Sequence, residues 1–124
     1  MEILASRILL SPCDFDVSRR FYEEIVGLAP FREFPGGVVF HLGGGYLELS
    51  RPGAGPVTDD KVALWLQVRD LDAVFAAVSP HAPVVEAPVA KPWGLKEARL
   101  RDPDGLLLVF VEVPPGHPLR QDTR

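Results

Sequence analysis

One order of elements occurs twice along this 124-residue chain: a strand, a helix and three further strands. The first copy runs from EILASRILLSP to YLELS, and the second runs from KVALWLQV to LLLVFVEV. Residues 51–56 between them, RPGAGP, contain enough proline and glycine to form a linker. The repeated order predicts an α+β fold of two tandem βαβββ modules. Their curved mixed sheets would surround a concave pocket, with the helices outside.

Two short matches align the copies. DFDV begins at Asp14 and DLDA begins at Asp70, an offset of 70 − 14 = 56. Gly44 precedes YLEL and Gly105 precedes LLLV, an offset of 105 − 44 = 61, and the difference between the offsets is loop length. We therefore expect a single domain with module 1 over about residues 1–51, a linker over 52–60, module 2 over about 61–114 and a loose tail over 115–124.

Each predicted helix follows an aspartate that can cap it and has one apolar face. In the first helix this face consists of Val17, Phe21, Ile25 and Leu28. In the second helix it consists of Leu71, Val74, Phe75 and Val78. Pro80 ends the second helix, because proline cannot continue the backbone hydrogen bonding.

The segment Asp102-Pro103-Asp104-Gly105 has the residues that a type I turn prefers at its first, second and fourth positions. A calcium loop needs many more oxygen ligands at fixed spacing. We therefore interpret the segment as a turn between two antiparallel strands.

Composition excludes several functional classes. Thirteen Lys and Arg against seventeen Asp and Glu give a net charge of −4, which does not suit a nucleic-acid partner. No apolar run approaches the roughly 20 residues of a membrane span, and the N-terminus lacks a signal-peptide pattern. The single cysteine, Cys13, excludes an internal disulfide and a multi-cysteine zinc site. We expect a cytoplasmic protein with neither nucleic-acid nor membrane partners.

The segments DFDVSRRFYEEIVGL and PWG…RDPDGLLLVFVE resemble the vicinal oxygen chelate superfamily, which includes glyoxalase I, extradiol dioxygenases and the bleomycin-resistance proteins. The resemblance covers residues 3 to about 114. It implies the paired βαβββ fold predicted above, usually as a homodimer.

Enzymes of that superfamily hold a divalent metal through residues on the first, fourth, fifth and eighth strands, most often His, Glu, His and Glu. The resemblance places these positions at Arg7, Glu48, Ala63 and Val109, and the repeat offsets agree, since 7 + 56 = 63 and 48 + 61 = 109. Only Glu48 matches. The guanidinium of Arg7 stays protonated and repels a cation, and a catalytic divalent ion needs several convergent donors. We therefore expect no metal and no other cofactor.

The sequence nominates five ligand-binding residues: Arg7, Glu48, Trp65, Trp93 and Val109. Arg7 and Glu48 either form an ion pair that replaces the metal or together grip a polar ligand, and both alternatives stay open. Trp65 shares a strand face with Ala63, and core packing is its favoured interpretation. Trp93 lies in an irregular segment, where ligand contact is favoured. Val109 is a wall of the pocket.

The histidines form no pattern typical of metal ligands. A site built from His41, Glu48 and Glu112 is an alternative, but Glu112 lies three residues from Val109 and should face away from the pocket. His81 and His117 should be solvated, because they follow a helix end and lie in the tail.

Three functions remain. The first is a non-enzymatic protein, similar to the bleomycin-resistance branch, that sequesters a small molecule; the acidic net charge suits a cationic or amphipathic ligand. The second is a glyoxalase- or dioxygenase-type enzyme that uses displaced metal ligands, or Glu48 as an acid–base group. The third is a structural homodimer with a filled cavity. The missing metal ligands favour binding over catalysis.

Overall fold

Residues 1–119 are the part of the chain that the computed structural model describes, and they form eight strands and two α-helices. The strands are β1 Arg7–Leu10, β2 Pro30–Phe34, β3 Gly37–Leu42, β4 Gly45–Ser50, β5 Ala63–Gln67, β6 Val84–Ala90, β7 Lys96–Arg101 and β8 Leu107–Glu112. The helices are α1 Phe15–Arg20, which continues into a π-helical turn Phe21–Ile25, and α2 Leu71–Val78, which continues into a 3₁₀ turn Ser79–His81. The predicted loose tail lies partly outside the described residues, at 120–124.

The chain divides between Val57 and Thr58 into two compact units, and each unit contains one four-stranded mixed sheet. Sheet 1 has the order β1-β4-β3-β2 and sheet 2 the order β5-β8-β7-β6. In both sheets the first pair is parallel and the other pairs are antiparallel. The α+β fold of two βαβββ modules is therefore confirmed.

The strand register confirms the offsets of the repeat. Leu9 of β1 pairs with Glu48 of β4, and Trp65 of β5 pairs with Val109 of β8. The offsets relate these pairs directly, since 9 + 56 = 65 and 48 + 61 = 109. Each residue of the first parallel pair thus has an equivalent at the same place in the second.

The apolar face of the first helix differs from its prediction. Asp14 caps α1 as expected, accepting the amide of Val17 at 3.1 Å, but the side chain of Val17 is 51 % exposed. The buried residues of α1 are Phe15 and Ser18, and Phe21 and Tyr22 follow in the π-helical turn. Val17 lies two positions after Phe15, about 200° around the helix, so it cannot share that packed face. A π turn also shifts every later residue relative to the 3.6-residue period.

The second helix packs as predicted. Asp70 accepts the amide of Ala73 at 3.1 Å and caps α2. Leu71 and Val78 are buried, one at each end of the helix. Val74 and Phe75 between them are half-buried.

One face of sheet 1 carries α1 and the other does not. Arg19 of α1 forms an ion pair with Glu33 of β2, and Glu33 is the strand partner of Val38 in β3. Glu33 and Val38 therefore lie on the face that carries α1. Because side chains alternate between faces, the residues that flank Val38 point to the opposite side. We call this opposite side the helix-free face of sheet 1; its residues are Arg7, Leu9, Val39, His41, Tyr46 and Glu48.

The same reasoning separates the faces of sheet 2. Lys96 lies 2.7 Å from Asp72 of α2, and Glu112 accepts the amide of Leu71 at 2.8 Å. Lys96 and Glu112 pair with each other, so both lie on the helix side. The helix-free face of sheet 2 carries the alternate residues, which include Trp65, Glu97, Arg99, Val109 and Val111.

The predicted turn between β7 and β8 is present. The amide of Gly105 donates to the carbonyl of Asp102 at 3.0 Å. The Asp102 carboxylate accepts the amides of Asp104 and Leu106 at 2.8 and 2.9 Å. The Asp102 carboxylate therefore accepts hydrogen bonds from the backbone of the turn itself.

Among the helices of the described part of the chain, none is both long and apolar enough to cross a lipid bilayer.

Candidate functional site

Arg7 and Glu48 meet on the helix-free face of sheet 1. Arg7 Nη1 lies 2.7 Å from Glu48 Oε1, and the two side chains are 38 % and 18 % exposed. They stand on adjacent strands, two positions apart in register, because Arg7 pairs with Tyr46 and Leu9 pairs with Glu48. Of the two alternatives left open by the sequence, the ion pair is therefore formed in this structure.

An aromatic cluster lies beside this ion pair. The Arg7 guanidinium lies 5.8 Å from the centre of the Tyr46 ring, within the range of a cation–π contact. The rings of Phe31, His41 and Tyr46 lie 4.9 to 5.7 Å apart, centre to centre. The same face of sheet 1 therefore combines one neutralised ion pair with an aromatic surface.

The other two metal-ligand positions of the resemblance carry no donor. Ala63 has only a methyl group. Val109 is buried in an apolar cluster with Leu95, Val111 and Val113. Together with a cationic Arg7 and an already paired Glu48, this donor set does not fit a divalent metal. Within residues 1–119, no three His, Cys, Asp or Glu side chains come together as a potential metal site.

The alternative metal site is not assembled either. Glu112 lies on the helix side of sheet 2, where it accepts the amide of Leu71, as its phase in the sequence predicts. His41 packs its ring against Phe31 and Tyr46. Glu112 therefore does not join His41 and Glu48 on the helix-free face of sheet 1.

Trp65 is half-exposed on the helix-free face of sheet 2, with 50 % of its side chain accessible. The favoured prediction of core packing is therefore wrong for this residue. Trp65 pairs with the buried Val109, so an exposed indole lies beside an apolar strand. The two ligand-binding candidates of this sheet are direct neighbours.

Trp93 projects from the loop that joins β6 to β7. The amide of Gly94 donates to the carbonyl of Lys91 at 3.0 Å, and the amide of Lys91 donates to the carbonyl of Leu95 at 2.7 Å. The loop is thus a hydrogen-bonded turn. The Trp93 side chain is 55 % exposed, although its indole Nε1 donates to Glu97 Oε2 at 2.7 Å.

The sequence did not single out Glu97, which belongs to a charged network on the helix-free face of sheet 2. Glu97 is 4 % exposed, and its Oε1 lies 3.0 Å from Arg99 Nη2. Arg99 Nη1 lies 3.0 Å from Glu86 Oε1, which is also 2.6 Å from Lys91 Nζ. Hydrogen bonding and charge from Lys91, and then from Arg99, lower the pKa of Glu86.

One sequence signal leads to this network. The turn at Asp102 sets the register of β7 against β8, so that Arg99 pairs with Val109 and Glu97 pairs with Val111. Counting residues outward from this turn along β7 and β8 would therefore have placed Glu97 and Arg99 on the same face of sheet 2 as Val109.

His117 was expected to be solvated, and it is partly exposed but also makes two hydrogen bonds. Its ring is half-buried, with Nε2 3.3 Å from the carbonyl of Trp93, and Nδ1 accepts the amide of Leu119 at 3.1 Å. Because Nδ1 accepts, Nε2 carries the proton and donates to Trp93. His81 is exposed, as predicted.

The comparisons with known proteins agree with the fold. The sequence model of the glyoxalase/bleomycin resistance protein/dioxygenase superfamily matches residues 5–110 of this chain. The chain has no significant match among curated protein sequences.

Several solved structures share this architecture. A protein of unknown function from Agrobacterium tumefaciens is 21 % identical with a TM-score of 0.74, over 92 % of this chain and 95 % of that one. A glyoxalase-related enzyme from Fulvimarina pelagi is 22 % identical with a TM-score of 0.74, and the match covers 92 % of this chain and 90 % of that one. A glyoxalase/bleomycin resistance protein/dioxygenase from Nocardioides is 17 % identical with a TM-score of 0.75, and the match covers 94 % of this chain and 87 % of that one. At these identities the likeness concerns the fold. Since the family model spans most of the sequence, the chain belongs to the glyoxalase/bleomycin resistance protein/dioxygenase superfamily.

Proposed function

We propose that this chain is a small-molecule-binding protein of the bleomycin-resistance-like kind, which sequesters its ligand without transforming it and without a metal. The ion pair between Arg7 and Glu48 is the observation that carries the proposal. It neutralises the one carboxylate that stands at a metal-ligand position of the superfamily.

The energetics favour this ion pair over a metal. A divalent cation at Glu48 would lie next to the guanidinium of Arg7, which stays protonated and repels it. Ala63 and Val109, at the other two metal-ligand positions of the superfamily, have no oxygen, nitrogen or sulfur atom in their side chains. A metal held by one carboxylate and water has too few protein ligands for a resident catalytic ion.

The exposed aromatic side chains support the binding of an organic ligand. Trp65 on sheet 2 and Trp93 in the loop between β6 and β7 are both at least half-exposed, and Phe31 on sheet 1 is 47 % exposed. Large aromatic surfaces left uncovered on a rigid scaffold gain free energy when a ligand buries them. A structural protein with a cavity filled by its own chain would instead bury Trp65.

Catalysis by Glu48 is the alternative function. A general base needs a free lone pair within reach of the substrate proton. Glu48 Oε1 is bound by Arg7, which leaves Oε2 as the carboxylate oxygen that could accept a substrate proton, beside the positive charge of Arg7. We therefore place binding ahead of catalysis.

Native mass spectrometry tests the proposal. The protein, purified without chelator, is incubated with quinoline and with bleomycin as probes, and both the complex and the released probe are weighed. We expect complexes that contain no metal and release a probe of unchanged mass. A released product of different mass, or complexes that disappear after chelator treatment, would contradict the proposal. Trp65→Ala should weaken these complexes, whereas the control Val17→Ala should not, because Val17 is equally exposed but lies on α1.

We extend the proposal to a homodimer. β6 is an edge strand of sheet 2, and its residues Val84, Val85 and Val89 are 46 %, 49 % and 42 % exposed. A second copy that covers them would remove an exposed apolar edge from water. Light scattering after size-exclusion chromatography should give twice the chain mass, and a strictly monomeric protein would contradict this extension.

A further inference from the structure

We propose that residues 114–119 form a pH-sensitive strap, which neutral His117 holds against the loop between β6 and β7 and which acid releases at Leu119. We call these residues the C-terminal strap. The inference goes beyond the proposed function and does not depend on it. It gives one end of sheet 2 a contact that changes near neutral pH.

The C-terminal strap and the β6–β7 loop leave sheet 2 at the same end. Lys96, the first residue of β7, pairs with Glu112, the last residue of β8. The loop that precedes Lys96 and the segment that follows Glu112 therefore begin side by side, because the two strands are antiparallel. Val113 is fully buried in one apolar cluster with Leu95 of the loop. This packing fixes the start of the strap beside the loop.

A turn then folds the strap back toward the loop. The amide of His117 donates to the carbonyl of Pro114 at 3.2 Å, and Gly116 has a φ of +85°. A type II turn prefers proline at its second position and glycine at its third, because the third position needs a positive φ. Pro115 and Gly116 occupy these two positions. The sequence therefore specifies a chain reversal that brings the histidine to the loop.

The His117 ring connects the loop with the end of the strap. Nε2 lies 3.3 Å from the carbonyl oxygen of Trp93, and Nδ1 accepts the amide of Leu119 at 3.1 Å. A Cβ atom at Gly94 would lie 3.2 Å from His117 Cδ2, so the ring packs closely on a residue that has no side chain. The loop thus receives the strap through its backbone.

The bond from Leu119 requires a neutral imidazole, and the bond to Trp93 does not. Nδ1 accepts the Leu119 amide through its lone pair, and protonation places a hydrogen atom there. Two N–H groups would then face each other, so Leu119 would lose its partner. Nε2 keeps its proton, and its bond to the Trp93 carbonyl becomes charge-assisted. Acid therefore releases the strap at Leu119 and leaves the ring on the loop.

The charged groups around the strap do not compete with this change. His117 is the one titratable residue of the strap. Lys96 and Glu112 lie on the helix side of sheet 2. The charged side chains of the loop and of the helix-free face beside it pair with one another: Lys91, Arg99, Glu86 and Glu97. Between about pH 5 and 8 histidine is the side chain that ordinarily changes its charge, so protonation of His117 is the local electrostatic event in that range.

Nuclear magnetic resonance of the ¹⁵N-labelled, full-length chain tests the strap. At about pH 8, long-range ¹H–¹⁵N spectra should show one His117 tautomer, with the proton on Nε2. On acidification to about pH 5.5, protection of the Leu119 amide against exchange, corrected for the intrinsic rate, should fall by about fivefold. This fall should follow the titration of the His117 ring. A mixture of tautomers at the higher pH, or a Leu119 amide that does not follow the ring, would overturn the proposal.

Variants at His117 assign the response to Nδ1. His117→Asn places a side-chain oxygen near the position of Nδ1 and does not titrate, and asparagine commonly bonds the amide two residues on. It should keep Leu119 protected at both pH values, whereas His117→Ala should leave Leu119 unprotected at both. His81→Ala, at an exposed histidine after α2, is the control and should retain the full response. A pH response of Leu119 that survives in either His117 variant would overturn the proposal.

Discussion

Arg7 Nη1 lies 2.7 Å from Glu48 Oε1, across the parallel pair β1–β4. The equivalent positions of the second module, Ala63 and Val109, carry no charge. Polar groups in the second module are instead found on β7 and on β6, at Glu97, Arg99 and Glu86. The two modules thus share one backbone plan and place their charges on different strands.

The contribution of the ion pair to stability should be small. Both partners are partly exposed, and exposed pairs contribute about 0.2–1 kcal/mol. A double-mutant cycle with Arg7→Ala, Glu48→Ala and the double variant, followed by urea unfolding, should give a coupling free energy in that range. A coupling of several kcal/mol would show that the pair is a structural support of the fold.

Replacing Gly94 should destabilise the second module. A Cβ atom at Gly94 would lie 3.2 Å from the His117 ring, and the φ of +91° is strained for alanine. We expect Gly94→Ala to lower the free energy of unfolding by about 1 kcal/mol or more. Gly44→Ala is the matched control, since it meets nothing within 4 Å and has no positive φ. Equal unfolding midpoints for the two variants would contradict the contact with His117.

Acid should weaken the second module through Glu86 and Asp60. Lys91 and Arg99 lower the pKa of Glu86, and Arg101 lowers the pKa of Asp60. A carboxyl group whose pKa is lower in the folded state stabilises the fold at pH values above its unfolded pKa, about 4.3 for glutamate and about 3.9 for aspartate. This contribution is lost as the pH falls through the folded value.

Urea unfolding between neutral pH and about pH 3 measures this effect. Glu86→Gln should flatten the fall in stability on the acid side, and Lys91→Met should do so in part. Glu24→Gln, whose partner is the i,i+4 residue Arg20, should leave the profile close to that of the unaltered protein. An acid profile that all three variants share would contradict the assignment to Glu86.

Much of the fold could be predicted from the sequence because the same order of one strand, one helix and three strands occurs twice along the chain. The offsets of 56 and 61 place Trp65 opposite Val109, as Leu9 stands opposite Glu48. The closeness of Arg7 and Glu48 was expected from the metal-ligand positions that the family resemblance implies, with which the repeat offsets agree. Each of these relationships depends only on strand order and alternation, which a repeated pattern specifies well.

Other features depend on local irregularities that periodicity does not encode. Val17 is exposed because α1 packs through Phe15 and then changes into a π-helical turn. Glu86 reaches Arg99 because the register of β6 shifts on both sides of Glu86. Bulges and π turns add a residue to the regular spacing, so a fixed period assigns wrong faces to the residues beyond them.

Metal content measures the central claim most directly. The protein, purified without chelator, is incubated in turn with nickel, zinc, manganese and iron(II), desalted and submitted to elemental analysis beside Glu48→Ala. We expect far less than one metal per chain in every sample, and no difference between the two proteins. A stoichiometric metal that Glu48→Ala removes would contradict the account, because Glu48 would then be a ligand and not the partner of Arg7.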